Sequence, residues 1–274
     1  ETSTTTAVSS RGGNAISGGY SESGSSTQTD NLSETDVGPA GTASITETST
    51  TTSVGSRGGN AISGGYSTTG TSTQTSNLSE TDVGPAGTAV IGTTATDTLT
   101  ETGSGNAISG TYSRSFSDTF VESTTENDTT PAGTASIAES SSTTSVNSRG
   151  GNAISGGYSE TNSSIQTSRL SETDVGPAGT ASISVSSTDT VTETGSGNAI
   201  IGTYNATVSD TFVKSINEND TTPAGTASVT ESMTRHSGST VSGNRISGGY
   251  SDSGTSTETD SLSAFVAGCA AVLD

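Results

Sequence analysis

Arg11-Gly12-Gly13-Asn14-Ala15-Ile16-Ser17-Gly18-Gly19-Tyr20 carries an Asn-x-Ile core that returns at Asn60, Asn106, Asn152, Asn198 and Asn244, each step 46 residues long. All six tyrosines (Tyr20, Tyr66, Tyr112, Tyr158, Tyr204, Tyr250) and all five prolines (Pro39, Pro85, Pro131, Pro177, Pro223) keep the same grid. A fixed period of about 20 to 50 residues marks a repeat array whose units pack on their neighbours. The units run 1–46, 47–92, 93–138, 139–184 and 185–230, followed by a divergent C-terminal unit, 231–274.

The first, second and fourth units share Arg-Gly-Gly-Asn-Ala-Ile-Ser-Gly-Gly-Tyr and a later Leu-Ser-Glu-Thr-Asp-Val-Gly-Pro-Ala-Gly. The third and fifth carry Gly-Ser-Gly-Asn-Ala-Ile and Ser-Asp-Thr-Phe-Val instead, and fill the apolar column that Leu32 supplies in the first with Phe116 and Phe120, or Phe212 and Ile216. Apolar residues at helical spacing are missing, whereas short Thr-rich or alternating runs (4–8, 15–20, 27–32, 43–52) lie between Gly12-Gly13, Ser23-Gly24 and Gly38-Pro39-Ala40-Gly41. Such runs read as about four short strands per unit joined by tight turns.

Only 26% of the residues are hydrophobic and 4% aromatic, and tryptophan is missing, so a thick core cannot be filled. A single unit offers about six large apolar side chains, worth about 2 kcal/mol each, against an ordering entropy of about 1 to 2 kcal/mol for every residue. No unit folds alone, and stacking must supply the rest. The expected fold is therefore all-β: six 46-residue units stacked as a β-solenoid-like rod, with Ile16, Tyr20 and their equivalents pointing inward. One 46-residue rung or two coils of 23 residues both fit the period.

Gly-x-Gly-Asn-Ala-Ile-Ser-Gly resembles the Asn-x-Ile turns of right-handed parallel β-helices. Through Thr100-Glu-Thr-Gly-Ser-Gly-Asn106-Ala-Ile-Ser-Gly-Thr-Tyr112 and its relatives, nearly the whole chain resembles the Ser/Thr/Gly-rich repeats of very large secreted bacterial surface and fibre proteins. That resemblance implies an extracellular or cell-surface, non-catalytic structural role, a filament or surface layer built from copies of itself. The shaft or ligand-binding region of an adhesin is the alternative.

The net charge is −20, from 28 acidic against 8 basic residues, which disfavours nucleic acid and anionic membrane surfaces because both need clustered Lys or Arg. Cations, glycans and other copies of the chain remain as partners, and no apolar run is long enough to insert in a membrane. Thr46-Glu47-Thr48-Ser49 repeats the opening residues and no signal peptide precedes Glu1, which fits a signal removed on secretion or a longer parent chain. With His236 the single histidine and Cys269 the single cysteine, neither a histidine triad nor a repeated Cys–His pair can be built, so no catalysis is expected.

Glu-x-Asp recurs as Glu34/Asp36, Glu80/Asp82, Glu126/Asp128, Glu172/Asp174 and Glu218/Asp220. Residues two apart in a strand share a face, so each pair offers hard oxygen ligands suited to Ca2+ beside a proline turn; a solvated turn without an ion fits the same letters. Thr-x-Thr forms a second column (Thr4/Thr6, Thr50/Thr52, Thr96/Thr98, Thr188/Thr190) that resembles the ice-binding face of some antifreeze solenoids; Thr is equally a favourable exposed strand residue. Sequons at Asn31, Asn77, Asn127, Asn162, Asn205 and Asn219, with the many Ser and Thr hydroxyls, offer sites for covalent glycans. The most apolar stretch is the tail with Phe265, Val266, Val272 and Leu273, which is expected to dock on the open first unit of another copy, with a cap on its own chain as the alternative.

Overall fold

A computed structural model describes residues 1–268 of the chain; Cys269, Val272 and Leu273 lie outside the described residues. The fold is an all-β repeat array: one antiparallel sheet whose strands lie side by side in chain order. They are β1 (Thr2–Asn14), β2 (Gly19–Gly38), β3 (Gly41–Asn60), β4 (Gly65–Gly84), β5 (Gly87–Asn106) and β6 (Thr111–Thr130). Then come β7 (Gly133–Asn152), β8 (Gly157–Gly176), β9 (Gly179–Asn198), β10 (Thr203–Thr222), β11 (Gly225–Asn244) and β12 (Tyr250–Gly268). Each strand touches only its sequence neighbours, which gives the array its solenoid-like stacking. The 23-residue half-unit is one strand and one turn, so it runs antiparallel to the next and does not close into a coil.

Two kinds of hairpin tip alternate. At the asparagine tip, Asn14 Oδ1 accepts from the N–H groups of Ile16 (2.9 Å) and Ser17 (3.0 Å), and Gly18 N–H donates to Asn14 O (2.8 Å). This is one helical turn capped by asparagine and ended by Gly18 at φ 72°, a region that favours glycine. At the proline tip, Gly38 pairs with Gly41 across Pro39-Ala40, with Pro fixing one φ and Gly41 taking φ 145°. In the third unit Thr130 replaces the first glycine, and its Oγ1 donates to Gly133 O (3.2 Å) and accepts from Ala132 N–H (3.2 Å).

The asparagine tips also bond to one another. Asn60 Nδ2 donates to Ser17 O (2.8 Å) and Ala61 N–H to Gly18 O (2.8 Å), and the same two bonds recur at every later tip, ending with Asn244 Nδ2 to Ile201 O (3.0 Å) and Arg245 N–H to Gly202 O (2.9 Å). One rim of the sheet is thus tied by a side-chain ladder.

Beside it runs a row in which glycine and tyrosine alternate: Gly13, Tyr20, Gly59, Tyr66, Gly105 and onward to Tyr250. Each ring lies across the glycine of the following strand: a Cβ at Gly59 would stand 2.5 Å from Tyr20 Oη, and one at Gly105 2.6 Å from Tyr66 Oη. That contact accounts for the glycines at 59, 105, 151, 197 and 243 inside strands; Gly12 and Gly13, which the sequence reads as a turn, likewise lie within β1. Ser23-Gly24 lies within β2 as well, so each unit has two long strands in place of four short ones.

The expected inward columns are not enclosed. Ile16 is 92% exposed at its tip, Ile108 is 63% exposed, and no hydrophobic residue is buried among the described residues. The isoleucines cover the tip glycine of the preceding hairpin instead, as Ile108 does Gly64. A single layer has no second layer to enclose them, so an aspartate at Ile108 loses this one contact and buries no charge. The accessible surface, 16731 Å², compares with roughly 10,800 Å² for a compact monomer of 26.8 kDa.

The ring-over-glycine contact makes a testable contrast. Gly105→Ala should destabilise by about 1 to 3 kcal/mol, because its Cβ meets Tyr66 and the Thr111 carbonyl. Gly58→Ala, whose Cβ has nothing nearer than 3.7 Å, should be neutral or stabilising by about 0.4 to 1 kcal/mol. Equal midpoint shifts in denaturant unfolding would contradict the contact.

Candidate functional site: an acidic face and a hydroxyl face

Both tips have loops of even length, so every cross-strand pair joins an odd-numbered residue to an even-numbered one. The two faces follow directly. Even residues of the even-numbered strands and odd residues of the odd-numbered strands share one face, and every Asp and Glu from Glu22 to Asp260 falls on it. The aromatic residues from Tyr20 to Tyr250 lie there too. The opposite face is a carpet of Ser, Thr and Asn, and Arg169 is its one formal charge within the strands.

On the acidic face the Glu-x-Asp pairs form two rows. Asp36, Asp82, Asp128, Asp174 and Asp220 alternate with Ala43, Ala89, Ala135 and Ala181; Glu34, Glu80, Glu126, Glu172 and Glu218 alternate with Ile45, Ile91, Ile137 and Ile183. Successive pairs are therefore two strands apart, about 10 Å. Each pair does share a face, but the apolar column keeps the pairs separate, and among the described residues no group of three or more carboxylates, His or Cys gathers as a metal site. Two carboxylates fall well short of the six to eight oxygens a calcium ion takes.

Closer contacts occur elsewhere. Asp118 stands diagonally across from Asp97, beside the Leu99 pair, and Asp189 has the same relation to Asp210. Burial first, then the facing Asp97 carboxyl, pushes Asp118 above the ordinary 3.8; burial and the facing Asp210 raise Asp189 in the same way. Arg235, 3.4 Å from Asp210, partly offsets the second pair, and the first has no such cation. The spacing of Asp97 and Asp118 reveals nothing without the register, which the four-residue loop of the asparagine tip at 107–110 fixes.

Two of the basic residues on this face come together. Arg114 and Arg149 are directly opposite each other, Arg114 bonded to Glu101 (2.9 Å) and Arg149 lying 5.5 Å from the Tyr158 ring centre. With Tyr112, Phe116, Asn147 and Glu160 they line an open depression of about 540 Å³.

The hydroxyl face is ordered in rows. The central one reads Thr6, Thr27, Thr52, Thr73, Thr98, Thr119, Thr144, Ile165, Thr190, Thr211, His236, Thr257, one residue from each strand. The sequence shows alternate members of this row as Thr-x-Thr; the intervening strands complete it. Cross-strand hydroxyl pairs bond, including Ser142 to Thr167 (3.2 Å) and Ser56 to Thr69 (2.7 Å), and Thr211 Oγ1 lies 3.0 Å from His236 Nδ1. Of the six sequons, Asn31, Asn77, Asn127, Asn205 and Asn219 are on this face, and Asn162 is on the other.

Phe265 and Val266 sit in β12, 62% and 78% exposed, but alternation sends Phe265 to the hydroxyl face and Val266 to the acidic one. They form no common patch. Comparison with protein families, curated proteins and solved structures returns no match.

The carboxyl pairs set a pH dependence. A raised value in the folded state means protonation favours folding, so this contribution is present below the ordinary 3.8 and is lost as pH rises through the raised value. The melting temperature should climb as the protein is brought from pH 7 into mild acid. Asp97→Asn should stabilise the chain at pH 7 and shrink that climb; an undiminished climb in the variant would remove the pair as its cause.

Proposed function

We propose that this chain is a non-catalytic structural protein of an extracellular filament or surface layer, extended sideways by addition of like units at its open edges. The observation that carries the reading is the asparagine ladder, whose two ends are complementary. Among the described residues Asn14 Nδ2 meets no acceptor at the β1 edge, and the Ser247 and Gly248 carbonyls receive no bond at the β12 edge.

Residues 2–14 are the equivalents of 48–60, so β1 laid against β12 repeats the β2–β3 pairing. Asn14 Nδ2 would then donate to Ser247 O, Ala15 N–H to Gly248 O, and Tyr250 would cover Gly13. Such a head-to-tail contact does not close on itself, and it uses the backbone groups that an edge strand leaves unpaired. Another copy, or further units of a longer chain, serves equally as the added neighbour. Phe265 and Val266 lie in the strand that is covered. The recurrence of the same carboxylates in unit after unit suits a scaffold better than a catalytic centre.

The reading as an adhesin shaft is favoured by one observation, the depression where the directly opposed Arg114 and Arg149 stand beside Tyr112 and Phe116.

Electron micrographs and fibre diffraction test the proposal. Strands should run perpendicular to the long axis, with a spacing of about 4.8 Å along it and about 58 Å added by each copy. Asn14→Asp, which keeps the Oδ1 cap but has no Nδ2 donor, should shorten or abolish the filaments and leave the melting temperature of the isolated chain nearly unchanged. Wild-type chains that stay single at high concentration, or filaments with strands along the axis, would overturn it.

A further inference from the structure

We infer that the hydroxyl face is covered by the hydroxyl face of a second copy, giving two sheets back to back with the carboxylates outward. This interface is distinct from the edges: edge addition widens the sheet, whereas face pairing doubles its thickness.

The first argument is the missing layer. Sheets in water bury one face against another element, and sheets of this many strands persist by stacking or by side-chain ladders. Here no hydrophobic residue is buried among the described residues, and the surface stands at 16731 Å² where a compact chain of this mass has roughly 10,800 Å². Twenty-residue strands, twelve abreast, present a face of roughly 66 by 58 Å, or about 3,800 Å². A stable interface needs only about 800 Å² from each partner.

The second argument is charge. Every Asp and Glu from Glu22 to Asp260 is on the other face, so two acidic faces would repel, and a copy seated on the hydroxyl face leaves all of them in water. The third is chemistry and height. Ten of the twelve residues in the central row are threonine, whose stiff, short side chains form even ridges. Each hydroxyl both donates and accepts, so two such faces can satisfy each other's polar groups as they close.

Arg169 is the exception: its equivalents in the other units are Asn31, Asn77, Ser123, Ser215 and Ser261, all uncharged. Like-charged guanidinium groups brought to one interface oppose pairing, which makes this residue a lever.

Sedimentation and small-angle scattering of the full chain supply the test. Wild type should show a particle about 20 Å thick, two layers of about 10 Å. Thr98→Lys with Thr119→Lys, at the centre of the hydroxyl face, should halve the thickness. Ser76→Lys with Ser141→Lys, on the acidic face, should leave it at two layers. Because the first variant risks unfolding, Arg169→Ser gives an independent reading: pairs should persist to at least tenfold greater dilution. Wild type that is folded and one layer thick at every concentration would overturn the proposal. So would a Thr98/Thr119 variant that pairs like wild type, an Arg169→Ser variant that pairs no more tightly, or native protein carrying sugar on Asn31, Asn77, Asn127, Asn205 or Asn219.

Discussion

In a sheet one layer thick nothing shields a backbone hydrogen bond from water on either side, so order depends on how firmly the strands are held in register. The asparagine tips supply that hold. One amide side chain caps its own turn through Oδ1 and ties to the preceding tip through Nδ2, as Asn106 does with Ile108, Ser109 and Ser63 O. Aspartate could keep the first contact but has no donor for the second, and serine lacks the reach for both together. This accounts for asparagine at all six tips while many strand positions drift among Ser, Thr and Gly.

Register in turn decides which way each side chain faces. A residue inserted into either loop would turn every later strand over and send its acids among the hydroxyls. The alternation visible in Glu34 and Asp36, or in Thr4 and Thr6, is a property of any single strand, and for that reason the sharing of a face is legible in the sequence. The period, the turns at Asn14 and Pro39 and the all-β character are legible on the same local grounds.

What the sequence conceals is equally physical. Strand length is hidden because Gly13 and Gly24 are ordinary turn residues by propensity, and only the tyrosine ring lying over Gly59 shows why a glycine belongs inside a strand. The position of Ile62 is hidden because a large apolar residue on a strict period normally means a core; here it covers Gly18 of the preceding tip at the sheet's rim. The sorting of the faces is hidden because both are polar. A hydropathy pattern finds no inside and outside; charge divides them, and charge can be assigned to a side only once the loop lengths have set the pairing. The close contact of Asp97 with Asp118 is hidden on the same account.

The unequal faces also make the layer a strip with stress on one side. Along the Asp36 to Asp220 row, carboxylates recur about every 10 Å, close to the Debye length at 0.1 M salt. Their mutual repulsion pushes on one surface and has no counterpart on the other, so it acts as a bending moment more than as a uniform expansion. A single layer should therefore curl with its carboxylates on the convex side as salt is diluted, whereas two layers seated back to back carry equal and opposite moments and stay flat.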